Sequence, residues 1–486
     1  MAELQSRALE VVGSRGSSMP DTPTTPIVIS NESSDSLNLN LIVYMHAIMG
    51  IESDLGDWRR THHTSQLSSN DDKVTLMGHI ASIRDHGNII FIMLADKDGE
   101  VQLVFKKHDG NERIFQLAKS LREHSSIAVK GRVKESKQAP KGIEVVPEEL
   151  RILSLAYSIP PFSVYSKTFP SIDVRLDLRA IDLRRYYMKS IFRLRHKVLK
   201  AIRGFLDTQG FMEVNTPKII STASEGGASL FPVFYFDREA FLAQSPQLYK
   251  EQLVTAFEKV YEIAPIFRAE PSRTNRHLAE AISVDVEEAF VDYRDVMSLL
   301  ESLVIHVLKS LNSYANEELQ ALNLSIMIGD ERFPRYTYTQ IIDMLRSNGY
   351  KIEWGDDFTN EHLQFLGDKI KDYYFIVDWP LRLRPFYTKG KDNDTSISES
   401  FDLMHGDLEI SSGSTRINRK DILLERLKMQ GLRAESFEYH LKVFDYGMPP
   451  HAGFGLGLER FLMAITGLDN IRDVTFYPRD IDRLVP

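Results

Sequence analysis

The stretch FRAEPSRTNRHLAEAISVDVEEAF, residues 267–290, constrains the fold of this chain more than any other. Apolar residues at Phe267, Ala269, Val284, Val286 and Phe290 alternate with charged ones, which reads as two strands joined by a loop. Arg268, Asp285 and Glu287 then share one face, and Arg273, Arg276 and His277 crowd the connection. Such a hairpin is either a solvated face with weak surface ion pairs or the wall of a site for charged ligands. The remainder of the chain has to decide between the two.

With 486 residues and 43% hydrophobic content, the sequence is long enough for two or three domains with cores of their own. It contains no cysteine, which excludes disulfides, thiolate metal sites and cysteine nucleophiles, and a reducing cytoplasm is the simplest location. The longest apolar run, LNLNLIVYMHAIMGI at 37–51, is broken by Asn38, Asn40 and His46 and is too short and polar to span a bilayer. The net charge of −9 means that a polyanion has to be met by a local basic surface.

Residues 1–55 are rich in Ser, Thr, Asn and Pro and lack a sustained period, so a disordered extension is expected there. Residues 56–155 carry short alternating segments, KVTLMGHIASI, NIIFIML, EVQLVFKK, SSIAVKGRV and GIEVVPEELRIL, with a helical NERIFQLAKSLREH after the third. Five strands with one helix in that place is the element order of an OB-type barrel. KGRVKESKQAPK at 130–141 holds five basic residues against one acidic, which suits either a phosphate-facing loop or a solvated one. A linker over 156–180 contains IPPF. A larger region, 181–486, follows. Ile191, Leu194, Val198, Ile202 and Phe205 recur at helical spacing before Gly210, and the strand FMEVNTP comes next. Ser245 and Pro246 suit the cap and first position of a helix, which sets Gln247 and Lys250 on one face. Residues 291–375 read as a mostly helical insertion, and the chain ends in a Gly-rich strand running into a helix, HAGFGLGLERFLMAI.

The helix–strand–Pro217 segment, FRAE with RTNRH, and GLGLER at 455–460 fall in the order of the three signature motifs of class II aminoacyl-tRNA synthetases. With SEGGASLFP, QSPQLYK, EISSG, YGMPPHAGFGLGLER and NIRDVTFYPRD, residues 57–486 closely resemble archaeal and eukaryotic aspartyl-tRNA synthetases. The resemblance implies an α+β fold: an N-terminal OB-fold β-barrel for the anticodon, then a class II catalytic domain of antiparallel sheet flanked by helices. It also implies a homodimer built on the first motif. The implied reaction activates L-aspartate with ATP and passes it to the 3′ end of tRNA(Asp).

Carried over residue by residue, the resemblance makes Arg268 the holder of the α-phosphate and the reacting carboxylate, a task suited to its planar fork. Arg460, with Gly457 beside it in the third motif, grips the γ-phosphate. Arg276 and His277 position the triphosphate and the tRNA end, Phe290 stacks on adenine, and Glu270 contacts its amino edge. Glu409 and Ser412 match the Mg²⁺ ligands, hard oxygen donors such as that ion prefers. Lys250 and Arg416 match the two cations that receive the aspartate side chain, with Gln247 beside them, and Asp285 and Glu225 match the groups around its ammonium. In the barrel, Phe91, Gln102 and Glu144 match anticodon contacts, although the alternation equally allows Phe91 to be core.

Pro271, Arg273, Glu288 and Ser414-Thr415 depart from the usual pattern; none is a catalytic group. An asparaginyl enzyme is opposed by Lys250, a tRNA-independent ligase by the barrel, and a non-catalytic scaffold by the presence of Arg268, Glu409 and Arg460 together. The strand segment MGHIASI lacks tryptophan and the loop KQAPKGIEV carries Pro140, which resembles members that also charge tRNA(Asn).

Overall fold

The computed structural model describes residues 54–108, 111–166, 168–221, 230–326 and 332–486. The expected extension therefore falls almost wholly outside the described residues. The chain divides into two compact units, with the boundary in the sequence between Ile159 and Pro160.

The first unit is a closed barrel of β1 (Val74–Asp85), β2 (Ile89–Ala95), β3 (Glu100–Lys106), β4 (Ser126–Glu135) and β5 (Ile143–Ser154), in the order β1-β2-β3-β5-β4. Helix α1 (Glu112–Ser120) lies between β3 and β4. Period-two alternation sends Ile90, Ile92 and Leu94 inward against Leu76, Leu103, Val129 and Val145. The residues between them, Phe91 included, face outward and are only half-buried.

The second unit opens with two short helices, α2 (Ile172–Asp177) and α3 (Arg179–Asp182), where the sequence suggests a plain linker. They are tied down by charge. Buried Arg179 donates to Asp182 and to the carbonyls of Arg472, Thr475 and Phe476 near the C-terminus. Helix α4 (Tyr186–Thr208) follows, and its stripe of Ile191, Leu194, Val198, Ile202 and Leu206 is buried. Each such side chain contributes about 1.5–3 kcal/mol. Gly210, in the left-handed region at φ +83°, ends the run.

After β6 (Met212–Glu213) come β7 (Ile219–Ile220), β8 (Pro232–Tyr235) and β9 (Arg238–Leu242), the last three making a small sheet. Helix α5 (Gln247–Phe257) starts one residue later than the sequence suggests: Pro246 is the cap residue, and Ser245 Oγ accepts from the Gln247 amide at 3.2 Å. The charged hairpin is β10 (Lys259–Phe267) with β11 (Glu280–Ala289), antiparallel throughout. FRAE is thus the end of a strand that begins eight residues earlier, and the polar stretch after it is loop.

Helices α6 (Tyr293–Tyr314) and α7 (Asn316–Ala321) precede β12 (Arg335–Thr337), α8 (Tyr338–Ser347), α9 (Asn360–Lys369) and β13 (Tyr373–Val377). Most of 291–375 is indeed helical, yet α6 is no appendage. Its Val296, Leu300, Val304 and Leu311 belong to the main core with α4, because a 22-residue helix with a continuous apolar stripe has to bury it somewhere. Strands β14 (Ser400–His405) and β15 (Leu408–Thr415), helices α10 (Lys420–Met429) and α11 (Glu438–Phe444), β16 (His451–Gly457) and α12 (Leu458–Thr466) complete the unit.

The large sheet has eight strands in the order β12-β13-β14-β15-β16-β11-β10-β6, antiparallel except at its two outermost pairs. One face, with Val284, Val286, Phe401, Leu403, Phe454 and Leu456, packs on α4, α6 and α12. The opposite face is polar in its middle strands, and that is where the charges collect.

Candidate active site

A deep cleft opens on the polar face of the sheet, entirely within the second unit. Gln247, Lys250, Arg268, Glu270, Arg276, His277, Asp285, Glu409, Ser412, Arg416, Gly457 and Arg460 all line it. Residues up to 213 positions apart in the chain are thereby brought together.

At one end, four buried charges interlock. Lys250 Nζ lies 3.0 Å from Asp285 Oδ1 and 3.4 Å from Glu287 Oε2. Arg416 donates from Nε and Nη2 to the two oxygens of Glu287 at 2.9 and 3.2 Å, and from Nη1 to Ser414 Oγ at 2.7 Å. Two cations and two carboxylates balance, so the set tolerates burial that any one of them alone would not. Burial by itself would weaken the Arg416 proton, but the Glu287 carboxylate outweighs it and pushes the guanidinium further up. Gly453 stands opposite on β16, where a Cβ would collide with the Glu287 carboxylate. Gln247, on the same helix face as Lys250, turns its Nε2 to Glu251 at 2.6 Å.

At the other end the sheet runs directly into α12, placing Arg460 in the helix's first turn. Its neighbour Glu459 is buried and accepts from the Ile282 amide at 2.9 Å and from Arg195 of α4 at 2.9 Å, which pins the helix start to β11. Arg460 donates to the Glu409 carbonyl at 3.1 Å. Arg276 pairs with Asp407 in the β14–β15 turn at 2.5 Å. Burial, then the Arg460 charge, with Arg268 and Arg276 adding to it and Glu270 opposing, holds His277 below the usual histidine range. At neutral pH that ring is uncharged among three guanidinium groups.

Between the ends lies an oxygen-rich patch. Asp402 and Ser412 face each other across β14 and β15, and the register shift at Ile410 turns Glu409 onto the same face. Asp402 Oδ2 accepts from Arg384 at 2.8 Å, while its Oδ1 is buried without a partner. Glu409 is exposed to the cleft, yet the protein around it and the nearby Asp402 carboxylate push its carboxyl upward, against the pull of Arg460, Arg384 and Arg268. An orphaned carboxylate oxygen beside a second strained carboxyl and a hydroxyl fits a hard divalent cation. Asp402 and Arg384 are not evident from the sequence reading; the signal was the SESFDLMH strand, whose parity matches that of Ser412 only once the bulge is known.

One expected residue is elsewhere. Phe290 does not line the cleft: it follows the last residue of β11, at φ +63°, and is 68% exposed. Its parity with Val284 and Val286 points it away from Asp285 in any case, and the positions that β11 presents to the cleft are Ala281, Ile282, Ser283 and Asp285. Glu225 lies outside the described residues.

In the barrel, Phe91, Gln102 and Glu144 form a strip across β2, β3 and β5. Gln102 Nε2 is 3.5 Å from Glu144 Oε2, and its Oε1 accepts from Arg84 at 3.2 Å. The Arg84 guanidinium lies over the Phe91 ring at 5.7 Å, and His86 meets that ring edge-on. Phe91 is therefore a surface aromatic and not barrel core. Arg84 and His86 extend the strip beyond the residues suggested by the sequence.

The chain belongs to the class II tRNA synthetases for D, K and N, whose profile matches residues 171–481, and residues 74–153 match the OB-fold nucleic acid binding domain. Among its relatives, the Aspartate--tRNA(Asp/Asn) ligase of Methanothermobacter thermautotrophicus is 44% identical over 89% of this chain and 100% of its own length. That of Archaeoglobus fulgidus is 47% identical over 85% of this chain and 96% of its own. Among solved structures, asparaginyl-tRNA synthetase from Pyrococcus horikoshii complexed with asparaginyl-adenylate superposes with a TM-score of 0.82 at 32% identity, covering 88% of this chain and 100% of that one. Aspartyl tRNA synthetase from Entamoeba histolytica gives 0.77 at 29% identity, over 88% and 93%. Class II synthetases use ATP and typically Mg²⁺. Among the described residues no helix is long and apolar enough to cross a membrane.

Proposed function

We propose that this chain is an aspartate–tRNA ligase that joins L-aspartate to ATP, releases diphosphate, and esterifies the 3′ end of tRNA(Asp) and also of tRNA(Asn). The observation that carries the reading is the pair of buried cations, Lys250 and Arg416, held 3.0 and 2.9 Å from Asp285 and Glu287 at the closed end of the cleft. A carboxylate side chain finds two positive partners there. An amide would bring no charge and would turn its own NH₂ donor toward two donor groups, a mismatch of the kind that supports discrimination of about 10⁴-fold.

In the first step an oxygen of the aspartate α-carboxylate attacks the α-phosphorus of ATP, the bond to the β-phosphate oxygen breaks, and diphosphate leaves. Arg268 holds the two approaching anions, and Arg460, Arg276 and neutral His277 grip the outer phosphates. This is alignment and fixed positive charge, not proton chemistry. Asp402, Glu409 and Ser412 would hold Mg²⁺, which supplies charge neutralisation at the phosphates. Asp285, Glu225 and Gln247 are assigned to the substrate ammonium, Glu270 to the adenine edge. In the second step the terminal ribose hydroxyl attacks the acyl carbon, its proton passes to a phosphate oxygen of the adenylate, and the acyl–phosphate bond breaks to release AMP.

We assign residues 56–155 to anticodon binding and 181–486 to catalysis. Splayed bases stack on aromatics and are read at their edges, a role that suits Phe91 beside Arg84, Gln102 and Glu144. A homodimer is supported by β6, a two-residue edge strand with Met212 exposed; Tyr186 and Ile219 are further exposed apolar side chains of the same unit. A cytoplasmic location accords with the lack of cysteine. The test is to charge purified tRNA(Asp) and tRNA(Asn) with labelled aspartate: kcat/KM values within tenfold of each other are expected, and a preference above a hundredfold for tRNA(Asp) restricts the enzyme to that substrate.

A further inference from the structure

Behind the closed end of the cleft lies a polar cluster that the proposed reaction does not use. Glu251 sits one turn beyond Gln247 on α5 and is completely buried. Its Oε1 accepts from Gln247 Nε2 at 2.6 Å. Its Oε2 faces His440 Nε2 of α11 at 3.2 Å and His451 Nε2 of β16 at 3.7 Å, and both rings are fully buried.

The partners fix the protons. His451 Nδ1 lies 2.8 Å from the Pro449 carbonyl, which can only accept, so that nitrogen carries hydrogen. Its Nε2 stands 3.7 Å from Glu251 Oε2, within ion-pair reach though not hydrogen-bonded, and the buried negative charge there favours a second proton and a cationic ring. His440 Nδ1 lies 3.4 Å from Gln252 Nε2, whose other hydrogen goes to the Leu248 carbonyl. That nitrogen accepts, which leaves the ring's proton on Nε2, 3.2 Å from Glu251 Oε2 in an electrostatic contact that lacks hydrogen-bond geometry. The cluster is thus one carboxylate, one imidazolium and one neutral imidazole. Tyr439 on α11, Glu287 on β11 and Arg416 are the other charged or titratable groups that act on it.

The consequence reaches the cleft through Gln247. A free amide presents either end equally, but here the NH₂ is committed to Glu251, so the carbonyl oxygen is the atom left for the amino-acid end. We propose that Glu251 is a positioning residue for amino-acid selection: it locks Gln247 with an acceptor toward the substrate and keeps the His451 imidazolium behind Arg416. An acceptor there favours a substrate ammonium and repels a carboxylate entering the wrong way round. The inference rests on the aspartate reading above. Its charge state accords with the local electrostatics, since the two imidazoles overcome burial to hold Glu251 far below the carboxylate range, and Glu251 overcomes burial to push His451 up.

The test is Glu251→Gln in the full chain, assayed by ATP–diphosphate exchange. KM for aspartate is expected to rise about tenfold, with kcat and KM for ATP within about twofold. Gln247→Leu should raise KM alike, and the double variant should be no worse than Gln247→Leu alone, because both act through one amide. Additive losses, or an unchanged aspartate KM, overturn the proposal. Imidazole ¹⁵N NMR of the wild type, assigned with His440→Asn and His451→Asn, provides a readout independent of substrate: the His451 ring should keep both protons above the ordinary histidine midpoint of 6.5, and two neutral rings there contradict the arrangement. Should wild type show no aspartate-dependent exchange, the ligase reading falls while the NMR result still decides Glu251. If Glu251→Gln does not fold, Glu251→Asp, too short to reach Gln247, carries the same kinetic expectation.

Discussion

Glu287 grips Arg416 with both carboxylate oxygens and reaches Lys250 with one of them, so a single buried side chain orients both cations at the closed end of the cleft. Glu287→Gln removes that shared anchor. The guanidinium loses its charge-assisted fork, and kcat/KM for aspartate should fall by roughly a hundredfold, with KM for ATP nearly unchanged. Steady-state exchange kinetics at varied aspartate and varied ATP would separate this from a general loss of folding, which lowers both alike.

Much of this end of the cleft is legible in the sequence, because QSPQLYK and SSGSTR are local strings around Lys250 and Arg416. What joins them is not. Glu287 is visible as a charge on the hairpin face, yet its partner stands 129 positions away, and only strand pairing brings them into contact. The same holds for Asp402, hidden by a one-residue register shift in β15. Phe290 fails for a different reason. Alternation was carried one residue past the end of β11, where a positive φ turns the chain away, and its parity opposes Asp285 throughout. The place of helix α6 in the main core is not legible either, because amphipathic spacing shows that a face is buried without saying against what.

His277 gives a pH dependence. Burial and the surrounding guanidinium groups lower its pKa from the ordinary 6.5, so the folded protein resists the proton. The stability this ring allows is therefore full above pH 6.5 and is lost as pH falls from 6.5 through the lowered value. Bound triphosphate opposes this shift, because an anion favours the charged ring. NMR titration of the His277 ring should place its midpoint below 6.5 without nucleotide and move it upward on adding ATP. A midpoint above 6.5 in the free protein would refute the electrostatic picture of that end.

The outward strip on the barrel makes a separable claim. Phe91→Ala removes a stacking surface worth about 1–3 kcal/mol per base, so KM for tRNA should rise at least about fivefold. Because Phe91 lies in the first unit and the cleft in the second, diphosphate exchange without tRNA should keep its wild-type rate. Equal loss in both assays would show that the substitution damages the protein and not tRNA binding.

The choice of amino acid is the central claim, and ATP–diphosphate exchange of the wild type with aspartate and with asparagine tests it most directly. Two buried cations facing the substrate side chain call for a ratio of kcat/KM of about 10³ or more in favour of aspartate. Lys250→Met should cut aspartate exchange by about 3 kcal/mol of transition-state binding while leaving the slow asparagine rate little changed. Comparable rates with the two amino acids, or a preference for asparagine, would contradict the account.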